Sequence, residues 1–264
     1  MKSRIFLLAV GLCIQLALPA QCPYRIGKAD IGIGIGAVGL SGLGIWAQHR
    51  VAPFTPAQLS GLDPAQIPSF DRINVGDWRP QAAKVSDVAI LAACASPFAL
   101  LAGKSERHDV LKIALLGAEA GLISFGLVGT AKGLVHRARP FDYGSIAPLT
   151  EQTNRDARLS FFSGHTCFTA TATFFAAQVF SDYHPDSKWK ALVWAGAALA
   201  PAGIGYLRMR AGKHFLSDVV TGYLVGAASG ILVPMLHRSS SKLPISIQPM
   251  FWGKGSGVIL SWRW

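Results

Sequence analysis

Residues 110–140 read VLKIALLGAEAGLISFGLVGTAKGLVHRARP, and the fold turns on this stretch. From Val110 to Ala131 only Lys112 and Glu119 are charged, and about 20 predominantly apolar residues are what a helix needs to cross a hydrocarbon core. Directly afterwards come Lys132, His136, Arg137 and Arg139, and then Pro140. Charge at membrane depth is costly unless it is partnered or used. The stretch therefore predicts a membrane helix that delivers positive charge to one end of a bundle.

Working outward, further apolar segments lie at 31–47, 85–103, 165–181, 190–206 and 218–236. With 110–131 they make six, rich in Gly and Ala, and small residues let membrane helices approach closely. The expected fold is all-α, a tight six-helix transmembrane bundle. Its weakest member is 31–47, IGIGIGAVGLSGLGIWA, where glycine dominates; this run is expected not to cross the bilayer fully.

Of the 264 residues, 51% are hydrophobic and 15% charged, and the mean hydropathy is +0.36. These are membrane-protein values. The net charge of +11 could suggest nucleic acid, but the Lys and Arg residues sit between apolar runs and do not cover a soluble face. A basic site for an anionic lipid headgroup fits better, with no nucleic-acid partner. Cys13, Cys22, Cys94 and Cys167 show neither a disulfide framework nor metal-ligand spacing.

The ends differ from the middle. Lys2 and Arg4 precede an apolar run from Ile5 to Leu18, followed by Pro19-Ala20-Gln21, the order of a secretory signal peptide. Residues 1–20 are expected to be a signal peptide cleaved after Ala20, or else an uncleaved anchor. Residues 48–84, with Pro53, Pro56, Pro64, Pro68 and Pro80, read as an extramembrane loop. Its Asp63, Asp71, Arg72 and Asp77 are taken as solvated or paired structural charges. In the tail 242–264, Val258, Leu260, Trp262 and Trp264 alternate with other side chains after a glycine-rich turn, the pattern of a short β-hairpin. The helical domain is then 21–241.

Three polar clusters flank the apolar segments. Lys132 and Arg139 are seven residues apart, close to two helical turns, so they can point to one side; Arg139 offers a fork of donors to a phosphate and Lys132 a point charge. Ser163-Gly164-His165 opens the fourth segment, where unpaired N–H groups and the helix dipole favour an anion and His165 could protonate a leaving oxygen. Arg208, His214 and Asp218 enter the last segment; four residues apart, Asp218 could accept from one nitrogen of His214 and leave the other free. Each cluster alone has an ordinary reading: snorkelling cations, an N-cap serine, a structural His–Asp bond. Their occurrence together, in order, reverses the balance. His136, Arg137, Arg210 and Lys213 are read as headgroup or rim charges.

Lys132-x6-Arg139-Pro140, Ser163-Gly164-His165 and Arg208-x5-His214-x3-Asp218 together resemble the three-part signature of the type 2 phosphatidic acid phosphatase (PAP2) superfamily. Phe162 departs from the proline usual in that family, and Leu207 from a frequent serine. The resemblance implies that His214 attacks phosphorus, Asp218 orients it and His165 protonates the leaving group. Lys132, Arg139, Ser163, Gly164 and Arg208 would hold the phosphoryl oxygens, with no metal and no cofactor. Positioning and charge neutralisation are also what phosphoryl transfer chiefly requires.

The function expected from this resemblance is hydrolysis of a lipid phosphate or lipid pyrophosphate through a phosphohistidine. Undecaprenyl pyrophosphate is the first candidate, followed by phosphatidylglycerophosphate, phosphatidate and a lipid A phosphate. The partners are the substrate and the bilayer, with no obligate protein partner. The location is a bacterial-type cell envelope membrane with the site facing the periplasm. A secreted soluble acid phosphatase or vanadate-dependent haloperoxidase is the alternative enzyme; a non-catalytic lipid-phosphate-binding membrane protein is the non-enzymatic one.

Overall fold

A computed structural model describes residues 22–239, together with the backbone of 245–252 and 255–262. The signal-peptide reading of 1–20 lies outside these residues. Six long helices carry the fold: α1 Lys28–His49, α2 Pro80–Cys94, α3 Val110–Val135, α4 Gly164–Tyr183, α5 Lys190–Arg210 and α6 Leu216–Leu236. After α2 the chain continues as a 3-10 helix, Ser96–Ala102, with Pro97 in its first turn. Strands β1 Ile245–Trp252 and β2 Gly255–Trp262 pair antiparallel, Ile245 opposite Trp262.

Among the described residues, five helical segments are long and apolar enough to cross a membrane: Lys28–His49, Pro80–Ala102, Val110–Tyr143, Lys190–Arg210 and Leu216–Leu236. Two expectations are corrected here. First, the glycine-rich run is not short: α1 has 22 residues, about 33 Å at 1.5 Å per residue, enough for the hydrocarbon core. Of its glycines, Gly44 serves packing, since a Cβ there would come within 2.9 Å of Thr130 N and 3.0 Å of the Gly129 backbone, whereas a Cβ on Gly32, Gly34, Gly36, Gly39 or Gly42 would meet nothing within 4 Å. Second, α4 is not among these five by apolarity, although it runs between the same two ends of the bundle. Twelve of its twenty residues are buried, among them Thr166, Thr169, Thr171 and Thr173. A helix enclosed by protein need not be apolar all round; Thr171 and Thr173 return their hydroxyls to the carbonyls of Cys167 and Thr169 at 2.9 Å.

Helix α4 is the axis of the bundle, packed by α2, α3, α5 and α6. The α6 contact is so close that a Cβ on Gly226 would lie 2.1 Å from Cys167 O. Helices α1 and α3 run parallel, with Leu40 beside Gly126 and Ala47 beside Gly133. This fixes the ends. The end of α3, the start of α4, the 211–215 turn and the 50–79 loop share one end, tied by Asn74 Nδ2 donating to His214 O at 2.9 Å and Ser217 N to Asp71 Oδ1 at 2.8 Å.

At the other end the chain's start and the end of α6 meet, with Arg25 N donating to His237 O at 2.8 Å. Here Asp30, Glu119 and His237 each bring one donor atom within 4.8 Å of the others. Spacing along the chain shows no such metal-type grouping, because the three residues come from three distant segments. Burial opposes charge on His237, but the Val233 carbonyl, Asp30 and Glu119 outweigh it and raise its pKa. An imidazolium bridging two carboxylates satisfies the group.

Candidate active site

The three clusters converge on one cavity of about 310 Å³ at the loop-rich end, lined by Lys132, Arg139, Gly164, His165, Arg208 and His214, with Asp156 beside them. Lys132 and Arg139 reach it by different means than expected. Helix α3 stops at Val135, His136 turns left-handed at φ 51°, and Arg139 sits on extended backbone before Pro140. Lys132 Nζ donates to Leu159 O at 2.7 Å. Arg139, 2% exposed, donates from Nε to Asp156 O and from Nη2 to Asp156 Oδ1, both at 2.7 Å, and from Nη1 to Lys213 O at 3.0 Å.

Gly164 and His165 form the first turn of α4. Ser163 is fully buried and acts as the N-cap, its Oγ accepting from Thr166 N at 3.4 Å; it does not line the cavity. His165 Nε2 donates to Asp87 Oδ1 at 2.8 Å, which takes one ring nitrogen and leaves the other. Asp87 also accepts from Arg208 Nη1 at 3.1 Å. Arg208 Nε is buried without a partner among the described residues, and an orphan donor facing an anion site is a ready ligand for a phosphoryl oxygen.

His214 lies just before α6, and its Nδ1 donates to the Ser160 carbonyl at 2.8 Å. The expected bond to Asp218 is corrected: Asp218 Oδ2 is 3.8 Å away. Asp218 Oδ2 accepts from Ser160 Oγ at 2.6 Å and Phe215 N at 2.9 Å, while its Oδ1 pairs with Arg137 Nη1 at 2.5 Å. It holds the frame around His214 without touching the ring's nitrogen. Donation from Nδ1 puts the free lone pair on Nε2. Burial first, then the cations Arg139, Lys132 and Arg208, push the His214 pKa well below 6.5, so its imidazole is neutral at neutral pH.

Arg137 is not a rim charge. It bridges Asp218 and Asp71, with Nη2 to Asp71 Oδ2 at 2.6 Å, and lies over the Phe215 ring. Asp71, 1% exposed, also receives the Ser217 hydroxyl at 2.7 Å. Nor does Lys213 point outward: its ammonium sits over Trp78 and Phe141, and burial, then Arg139, lowers its pKa. Asp87, Asp156 and Ser160 escaped sequence reasoning, and Arg137 was noticed but placed at the rim. Only Asp87 carried a usable signal, a lone acid near the start of an apolar segment.

A model of the PAP2 superfamily matches residues 112–241, the part of the chain that holds all three clusters. Among solved structures the chain is similar to one titled the first transmembrane PAP2 type phosphatidylglycerolphosphate phosphatase, from Bacillus subtilis. Identity is 21% and the TM-score 0.42, over 81% of this chain and 98% of that one, a level of likeness from which no role is transferred. No curated protein matches the chain.

Proposed function

We propose that this protein is a membrane phosphatase that removes phosphate from a lipid phosphate or lipid pyrophosphate through a phosphohistidine on His214. The observation that carries the lipid substrate is a second cavity, about 490 Å³ and almost wholly apolar, which shares Phe125 and Phe168 with the cationic one. Its floor is α4, and its walls are α3 and the Ser96–Ala102 turn. It follows α3 from Phe125 to Val110, about 22 Å at 1.5 Å per residue. A hydrocarbon chain lying there would have its phosphate among Lys132, Arg139 and Arg208.

In this reading His214 Nε2 attacks phosphorus as the bond to the lipid oxygen breaks, and His165, held by Asp87, gives that oxygen its proton. Water then attacks the phosphohistidine, His165 takes the water's proton, and inorganic phosphate leaves. The Gly164 amide and the three cations supply the charge stabilisation. The cations make a metal unnecessary, so turnover is expected to persist in excess chelator; loss of activity restored by one divalent ion would contradict this. Undecaprenyl pyrophosphate, phosphatidylglycerophosphate, phosphatidate and lipid A phosphates form the substrate panel.

Gly121 tests the groove. A Cβ there would meet nothing within 4 Å, so a side chain can start at this position without a clash at its root, and Gly121→Trp puts an indole into the groove. The variant is expected to lose lipid phosphate hydrolysis while still cleaving para-nitrophenyl phosphate. Unchanged turnover of every lipid in the panel would remove the groove from the reading.

A further inference from the structure

The cationic cavity contains one carboxylate, Asp156. An acid is an odd component of a phosphate site, because at short range it repels the ligand that the cations attract. Its placement is specific. Arg139 presents the Nε–Nη2 edge of its guanidinium, the edge that matches two oxygens of one anion, and both donors on that edge are held by Asp156, through its main-chain oxygen and Oδ1 at 2.7 Å.

The backbone of Asp156 is fixed. The residue lies on the 3-10 turn Arg155–Arg158, where Asn154 Oδ1 accepts from Asp156 N at 3.2 Å and Ala157 O accepts from Arg139 N at 2.9 Å. Its side chain meets Arg139 from the solvent side: it is 54% exposed, while the Arg139 partner is 3% exposed. The carboxylate can therefore leave Arg139 by a side-chain rotation into solvent while the turn stays in place.

We infer that Asp156 is the ligand-exchange residue of the phosphate site: its carboxylate occupies Arg139 in the empty enzyme, yields to the substrate phosphoryl group, and returns to help expel inorganic phosphate. This rests on the phosphate-binding reading above. No covalent step is involved, only the exchange of one anion for another on Arg139. Burial favours the neutral acid, but Arg139, Lys132 and Lys213 outweigh it and hold the Asp156 pKa below the ordinary carboxylate value, so the competitor is charged at neutral pH.

The test is binding of inorganic phosphate and orthovanadate to the detergent-purified full chain, read as inhibition constants against para-nitrophenyl phosphate and as the rise in unfolding temperature that each anion causes. Asp156→Asn is expected to bind both anions about tenfold tighter or more, with a larger thermal shift, since a like charge has left the site. Asp156→Glu, which keeps the charge, should stay near wild type. If Asp156→Asn does not accumulate as folded protein, Asp156→Ser takes its place.

The gain should vanish on an Arg139→Ala background, because the exchange takes place on that guanidinium. Equal or weaker anion binding by the neutral variants would overturn the inference and make Asp156 a mere support for Arg139. A wild-type protein that binds neither anion would instead overturn the phosphate-site reading, and this inference with it.

Discussion

The Ser160 carbonyl, 2.8 Å from His214 Nδ1, takes the place that spacing had assigned to Asp218, whose carboxylate is 3.8 Å from the same nitrogen. Ser160 joins the two, because its hydroxyl donates to Asp218 at 2.6 Å. Orientation of the candidate nucleophile thus depends on main chain held by a side-chain network, and Asp218 acts as a positioning residue.

Separate effects on stability and chemistry follow. Asp218→Ala removes one of the three side-chain acceptors of Arg137 and leaves Asp71 and Ser217; with Asp218 fully buried but Arg137 19% exposed, the cost should fall toward the lower end of the roughly 3–5 kcal/mol for breaking a buried pair from one side. Ser160→Ala removes one hydroxyl bond but keeps the carbonyl on His214, so it should cost about 1 kcal/mol and retain most turnover. Unfolding curves for Asp218→Ala, Arg137→Ala and the double variant should be strongly non-additive. Simple additivity would mean that Arg137 and Asp218 do not share one network.

Asp87 is expected to matter through the leaving group. It accepts from His165 and Arg208, so Asp87→Asn loosens the proposed general acid, a type of contribution worth about 10²–10⁴-fold. The loss should be large for a lipid alcohol, which needs a proton, and small for para-nitrophenol, which leaves unaided. Equal losses on both substrates would assign Asp87 to phosphate binding alone.

How much of this was legible in the sequence depends on the distance over which each contact is made. Lys132, Arg139, Gly164, His165, Arg208 and His214 announced themselves because each belongs to a short run at the mouth of an apolar segment, and all six line one cavity. Asp87 and Asp71 come from a segment and a loop far upstream, and single-residue spacing says nothing about such meetings. Asp218 misled for the opposite reason: helical spacing places it near His214, but His214 precedes α6 and is not on it. Helix α4 was read as one more apolar span, whereas its threonines show a helix built to face protein.

Stability should carry the signature of His214. Its native pKa lies well below 6.5 and its unfolded value is about 6.5. As pH falls below about 6.5 the unfolded chain takes up a proton that the native protein refuses, so stability is full above that value and is lost on the acid side. Unfolding temperatures from pH 7.5 to 5 should therefore fall more steeply in the wild type than in His214→Gln. Parallel curves would show that His214 titrates normally in the folded protein.

The last prediction concerns which side of the membrane the site faces. Because α1 runs the full length of α3, the site and the chain's described start lie at opposite ends of the bundle, and the periplasmic reading can no longer rest on a failed first crossing. Cations outside the cavity lie at both ends, Lys104, Arg107, Lys188, Arg25, Lys28 and Arg238 at the far end and Arg50, Arg72, Arg79, Arg155 and Arg158 at the site end, so the positive-inside rule does not separate them. The expectation put to the test is a periplasmic site and a cytoplasmic far end, with Cys22 on the cytoplasmic side. Cysteine labelling tests this, with Gly144→Cys at the site end and Asp186→Cys at the far end of an otherwise cysteine-free chain. Cells permeable only at their outer membrane are treated with an impermeant thiol reagent. Labelling at position 144 and not at 186 is expected; the reverse would place the cavity in the cytoplasm, and labelling at both would break the bundle topology itself.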